Sequence, residues 1–139
     1  MAVSIEDRGR VRVVAIDRAH VRNAVNPATA QALFDAFRAF DADPSVDVAV
    51  LTGRGGHFCA GFDLKAAAGG EGAEWIRACD IPPDWTDPAA RPLPGPMGPS
   101  RLMLSKPVIA AVEGYAVAGG MELAAWADVR VVSEAATFG

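Results

Sequence analysis

The chain alternates between short apolar runs and glycine-rich breaks, and the spacing of its apolar positions changes from run to run. "RVRVVAID" (10–17) is β-branched with partial alternation, the pattern of a strand. "NPATAQALFDAFRAFDADP" (26–44) instead sets Ala30, Leu33, Phe34, Phe37 and Phe40 on one face at helical spacing. Asn26 suits the N-cap and Pro27 the first helical position, while Asp43 before Pro44 ends the helix. Those phenylalanines read as core. "VDVAVLT" (46–52) is apolar almost throughout, as expected for a strand buried on both faces. "KPVIAAVEG" (106–114) repeats that pattern. "GGMELAAWAD" (119–128) then reads as a glycine turn opening a helix, and "VRVVS" (129–133) as a further strand. Strand, helix, strand in this order predicts an α/β architecture with parallel pairing. Trp126 and Tyr115 read as packing residues.

Residues 66–100 break the regularity. "AAAGGEGAEWIRACDI" has room for a short helix, but "PPDWTDPAARPLPGPMGPS" (82–100) holds seven of the ten prolines and cannot be regular in its middle. It reads equally as a surface connection or as a loop over a ligand site carrying Trp75 and Trp85.

A chain of 139 residues suits one domain, and at 51% hydrophobic and 22% charged it is globular. A net charge of −4 gives no general attraction to nucleic acid or an anionic membrane, so an anionic ligand needs a local cluster of donors. No apolar run reaches the ~18 residues of a membrane span. "MAVSIEDRGRV" carries charges where a signal peptide needs its apolar stretch. Cys59 and Cys79 are the only cysteines, and a chain of this apolar content needs no staple, so the expectation is a reducing cytoplasm.

Two stretches carry the chemistry: "HFCAGFDLK" (57–65) and "GYAVAGGMEL" (114–123). Each follows an apolar strand, passes through small residues, and ends in a carboxylate and a leucine, a weak internal repeat. Small residues let main-chain N–H groups approach a ligand, and a helix starting there leaves unpaired donors at its positive end. Two such turns on neighbouring strands can aim two N–H groups at one oxygen, an oxyanion hole for charge developing on a carbonyl. Glu122, just inside the second turn, is placed to move a proton there. The same features also fit ordinary tight turns, with Glu122 merely favouring a helix start.

"HFCAGFDLK" followed by "SKPVIAAVEGYAVAGGMELAAWADVRV", with "IDRAHVRNAVNP" upstream, resembles the enoyl-CoA hydratase (crotonase) superfamily. The resemblance covers most of the chain outside the proline-rich segment. It implies a spiral of repeated ββα units, here the N-terminal part (1–139) with residues 66–100 as an irregular insertion. It implies an oxyanion hole made by the amides of Phe62 and Gly119, with phenylalanine where many relatives carry alanine. Coenzyme A contacts are implied at Phe62, Asp63, Leu64 and Lys65, with His20 and Arg22 toward the nucleotide end. Glu122 falls on the first catalytic glutamate of the hydratases, and a second would lie about twenty residues further on. The implied activity is addition of water across the double bond of an enoyl-CoA thioester. The implied cofactor is none beyond the coenzyme A of the substrate, and the implied assembly is a homotrimer or hexamer. An isomerase, a hydrolase or a non-catalytic acyl-CoA-binding member would keep the same turns. Taken as a complete product, a chain of this length is expected to be inactive alone, with its last apolar strand at a sheet edge.

Other chemistries lack support. "GRGGHF" lacks the third glycine of a dinucleotide loop and no G-K-[ST] occurs. His57, Cys59, Cys79 and His20 do not have the spacing of a metal site. Cys59 reads as a packing residue more readily than as a nucleophile paired with His57.

Overall fold

The computed structural model describes residues 1–139 as a five-stranded sheet carrying helices on one face, beside a small parallel sheet. Strands β1 (Val3–Arg8) and β2 (Val11–Ile16) form an antiparallel hairpin around Gly9, whose φ of 60° suits the turn. Strands β3 (Val48–Gly53), β4 (Val108–Val112) and β6 (Val129–Val132) then add in parallel, giving the order β1-β2-β3-β4-β6. The predicted parallel pairing is present. β1 was not predicted from the pattern: only Val3 is buried, and its charged tail reads as loop until β2 is seen beside it.

Helix α1 (Pro27–Ala42) forms where predicted, with the Asn26 side chain accepting from the Thr29 amide at 2.9 Å. Its Leu33, Phe37 and Phe40 are fully buried in one cluster with Val14, Ile16, Leu51, Val108 and Ala110. The far end is closed by Lys106, whose Nζ donates to the carbonyls of Phe40, Asp43 and Val46 at 3.1, 2.5 and 2.9 Å. A cation there suits the negative end of the helix. β3 departs from its prediction. Ala49 and Leu51 are buried, but Val48, Val50 and Thr52 on the opposite face are only half covered.

Asp43 makes this corner acid-sensitive. The Ser45 hydroxyl and amide, then the Arg12 guanidinium, hold its carboxyl down at about 2. A depressed carboxylate stabilises the fold above its unfolded pKa of about 3.9 and loses that contribution as pH falls through the folded value. Stability is therefore expected to drop between roughly pH 4 and pH 2. Asp43→Asn should flatten that slope in urea unfolding titrations, and an unchanged slope would exclude Asp43 as its source.

Between β3 and β4 lie α2 (Leu64–Ala68) and α3 (Gly70–Ala78), two helices where one was expected. The proline-rich stretch that follows is pinned to the body. Trp75 Nε1 donates to Pro96 O at 3.0 Å, and the Arg101 guanidinium donates to Pro94 O and Cys79 O. Gly95 and Gly98 exchange backbone bonds of 3.0 and 2.8 Å, turning the chain so that Met97 enters the core cluster. Cys59 and Cys79 are both free and buried. No helix is long and apolar enough to cross a membrane.

After each main strand the chain adds a short segment to a second layer. Val25 bridges Phe62, Cys59 bridges Ala116, and β5 (Tyr115–Ala116) pairs with β7 (Thr137–Phe138), all in parallel. This second layer follows the strand order of the first, which is the ββα spiral expected. Helix α4 (Gly119–Trp126) leads from β5 to β6.

Candidate active site

Alternation along residues 59–63 decides where Phe62 points. The Cys59 amide donates to Tyr115 O, and Cys59 O accepts from Val117 N. The Ala60 amide turns the other way, to Arg22 O. A regular strand would then point Gly61 back toward Tyr115, but Gly61 has φ of 99° and its carbonyl instead accepts from Val25 N. Asp63 N also donates to Val25 O, at 2.7 Å. Val25 is thus bonded on both sides of Phe62, and the amide of Phe62 itself faces away, with no protein acceptor.

The second turn lies against this one. A methyl group built on Gly61 would stand 3.1 Å from Ala118 Cβ and 3.3 Å from the Gly119 nitrogen. On Gly120 it would overlap the Cys59 carbonyl, so only glycine allows α4 to start this close. Gly119 is the first residue of α4, and its amide, like that of Phe62, has no protein acceptor. Two free N–H groups therefore come from adjoining turns. Met97 borders the same place, its Sδ 2.5 Å from where a Gly119 side chain would begin.

Ala118 sits between these features with φ of 50° and ψ of −123°, a region that costs a residue bearing Cβ about 1–3 kcal/mol. Ala118→Gly is expected to raise stability by about 1 kcal/mol after the added flexibility of the unfolded chain is discounted. A urea midpoint that does not rise would contradict the strain.

A cleft of 440 Å³ runs beside the first turn. It gathers His20, Arg22, Phe62, Asp63, Leu64 and Lys65, all marked out by the sequence, together with Val21, Ala24 and Ala60. Leu64 and Lys65 are exposed at the start of α2. The Arg22 guanidinium lies 5.4 Å from the centre of the Tyr115 ring, on which His57 is stacked at 4.7 Å. Tyr115 is therefore an exposed platform and not a packed residue. Trp126 does pack, edge-on to Phe37. Neither Trp75 nor Trp85 lines the cleft. Burial pushes the Cys59 thiol up to about 11, which leaves it inert as a nucleophile near neutral pH.

Glu122 lies in the first turn of α4 with its side chain exposed and in no ion pair or side-chain hydrogen bond. Asp63 is different. Its carboxylate accepts from the Lys65 amide at 2.9 Å, capping α2, and from both terminal nitrogens of Arg18 at 3.2 Å. Burial raises its pKa, but the Lys65 amide and Arg18 outweigh this and the pKa is lowered. Two residues absent from the sequence reading hold the site: Arg18, and the fully buried Asn23. Asn23 Oδ1 accepts from the Arg18 amide, and its Nδ2 donates to Arg54 O and His57 O. The one available signal was an asparagine, tolerant of left-handed φ, in a polar loop between a strand and a helix cap.

The enoyl-CoA hydratase/isomerase family profile matches residues 6–83 and 100–139. The chain belongs to that family. Beyond the first five residues, the unmatched segment is 84–99, which falls within the proline-rich stretch. Among relatives of this chain, the enoyl-CoA hydratase EchA19 of Mycobacterium tuberculosis is 38% identical over 144 residues, spanning 97% of the chain and 47% of that protein. Carnitinyl-CoA dehydratase of Proteus mirabilis is 40% identical over 139 residues, spanning 99% of the chain and 48% of that protein. The crystal structure of enoyl-CoA hydratase EchA1 from Mycobacterium marinum superposes with a TM-score of 0.81 at 40% identity, covering 99% of the chain and 48% of that structure. The fold is therefore crotonase-like α/β, and the chain spans about half the length of these relatives.

Proposed function

We propose that the cleft receives the coenzyme A portion of an enoyl thioester and that the amides of Phe62 and Gly119 hold the thioester oxygen while water is added. The observation that carries this reading is the pair of unpartnered N–H groups on adjoining turns. Attack of water on the β-carbon moves the electron pair of the double bond toward the thioester carbonyl, giving an enolate. Two fixed donors at its oxygen stabilise that charge more than the neutral carbonyl of the substrate, which lowers the barrier. Glu122 takes the proton from the attacking water, and a proton delivered to the α-carbon completes the hydroxyacyl thioester.

Arg22 and Lys65 supply positive charge for the phosphates of coenzyme A, with His20 beside them in the cleft, and Phe62 narrows the acyl end. No cofactor is needed, since the thioester supplies the electron sink. The names of the relatives share a coenzyme A thioester and include both hydratases and dehydratases, the two directions of one reaction. The whole protein is proposed to be cytoplasmic and to assemble as a homotrimer or hexamer. Exposed Val129, Val131, Val132 and Phe138 support further burial of this side.

The test is a titration of the chain with crotonyl-CoA, with free coenzyme A as competitor, followed by an assay of enoyl absorbance with the whole protein. Saturable, competitive binding and loss of the conjugated absorbance are expected. Absence of binding, or amide-shift mapping that places it away from both residues 20–65 and the turn at residues 117–122, would overturn the assignment.

A further inference from the structure

We infer that Arg18 is a positioning residue for this site, acting through Asp63 to set the direction of the Phe62 amide and to mask a negative charge in the cleft. The inference rests on the acyl-CoA reading above only for its consequence on affinity.

The clasp has main-chain and side-chain parts. Val25 ties down Gly61 and Asp63, the two neighbours of Phe62. Arg18 then fixes Asp63 laterally, because its guanidinium bonds both the carboxylate and Ala24 O, the latter at 2.5 Å. Its own amide is held by Asn23. Both side chains of the pair are only 13% exposed, so removing either leaves a largely desolvated partner. A lysine could not bridge the carboxylate and the carbonyl with the same planar fork.

The electrostatic consequence follows from where Asp63 stands. The cleft holds Arg22 and Lys65 on one side of the balance and Asp63 alone on the other. With Arg18 in place the carboxylate is neutralised and the cleft is attractive to a phosphate-bearing ligand. Without Arg18 a bare carboxylate faces the same ligand. Asp63 thus serves the site by being occupied, and not by touching coenzyme A itself.

The experiment compares the wild-type chain with Arg18→Ala, Arg18→Lys, Asp63→Asn and the double variant Arg18→Ala/Asp63→Asn. Amide hydrogen exchange and ¹H–¹⁵N shifts of ligand-free chains test the clasp, and crotonyl-CoA titrations test its effect on binding. Arg18→Ala should speed exchange at residues 60–66 while leaving α1 protected, and should weaken crotonyl-CoA binding at least tenfold. Arg18→Lys should fall between, which covers the case in which the alanine variant does not fold. Asparagine keeps the cap on α2 but carries no charge, so the double variant should regain much of the affinity lost by Arg18→Ala. A purely structural arginine would show no such rescue. Unchanged exchange at residues 60–66, or an affinity loss that Asp63→Asn does not relieve, would overturn the inference. If exchange responds as stated but the wild-type chain does not bind crotonyl-CoA, the clasp stands and the acyl-CoA reading falls.

Discussion

Replacing Asn23 with alanine is expected to remove about 3–5 kcal/mol of stability, a large part of the 5–15 kcal/mol typical of a domain. Asn23 is fully buried and its side chain makes three hydrogen bonds, one accepted from Arg18 N and two donated to Arg54 O and His57 O. Alanine leaves these groups without their partner in a place where Gly53 already packs against the amide nitrogen. Each buried group so stranded costs roughly 1–3 kcal/mol, partly relieved where the loops can relax toward water. The backbone adds to the loss, since φ at this position is 60° and asparagine tolerates that region better than alanine.

Asn23→Asp and Asn23→Gly separate these contributions. Aspartate keeps an acceptor for Arg18 N but turns the two donated bonds into a carboxylate facing two carbonyls, so it should be at least as damaging. Glycine relieves the dihedral but makes none of the bonds, so it should recover only about 1 kcal/mol relative to alanine. Urea unfolding of the three variants reads the difference. A loss below 1 kcal/mol for Asn23→Ala would mean that water replaces the amide.

What the sequence made legible was local. Asn26, Pro27 and the spacing of Leu33, Phe37 and Phe40 act within one helix, and they placed α1 closely. The paired glycine turns were legible for the same reason: each contains its own strand exit, small residues and helix start. β1 escaped because its stability comes from pairing with β2, not from an apolar pattern of its own. Its charged residues suit an edge strand, where polar side chains blunt unwanted pairing. The overestimate of burial at β3 has a related cause. Val48 and Val50 alternate with the buried Ala49 and Leu51, on the face of the strand that is only half covered.

The site divides along the same line. His20, Arg22 and residues 62–65 meet in one cleft because they sit on two loops joined by backbone bonds, and a family resemblance reports such a meeting well. The occupation of Asp63 depends on Arg18, 45 residues away in sequence, and no spacing rule reaches that far. Seen as a motif, Asp63 is a ligand contact. Seen with its partners, it is a helix cap and half of an ion pair.

Glu122→Gln is expected to reduce turnover of enoyl-CoA by the whole protein by about 10²–10⁴, with affinity for the thioester little changed. Glutamine matches the shape of glutamate and keeps its hydrogen bonding, but it cannot accept the proton of the attacking water. The free protein should fold normally, because the side chain is exposed and engaged in no ion pair. The amides of Phe62 and Gly119 would remain in place, so the carbonyl would still be held and only proton movement would fail. Single-turnover rates and equilibrium binding of crotonyl-CoA, measured on the same preparation, separate the two effects. If activity and binding fall together, Glu122 contributes to holding the ligand and its role as base is wrong. If neither falls, the proton passes through another group, and the two free amides alone define the site.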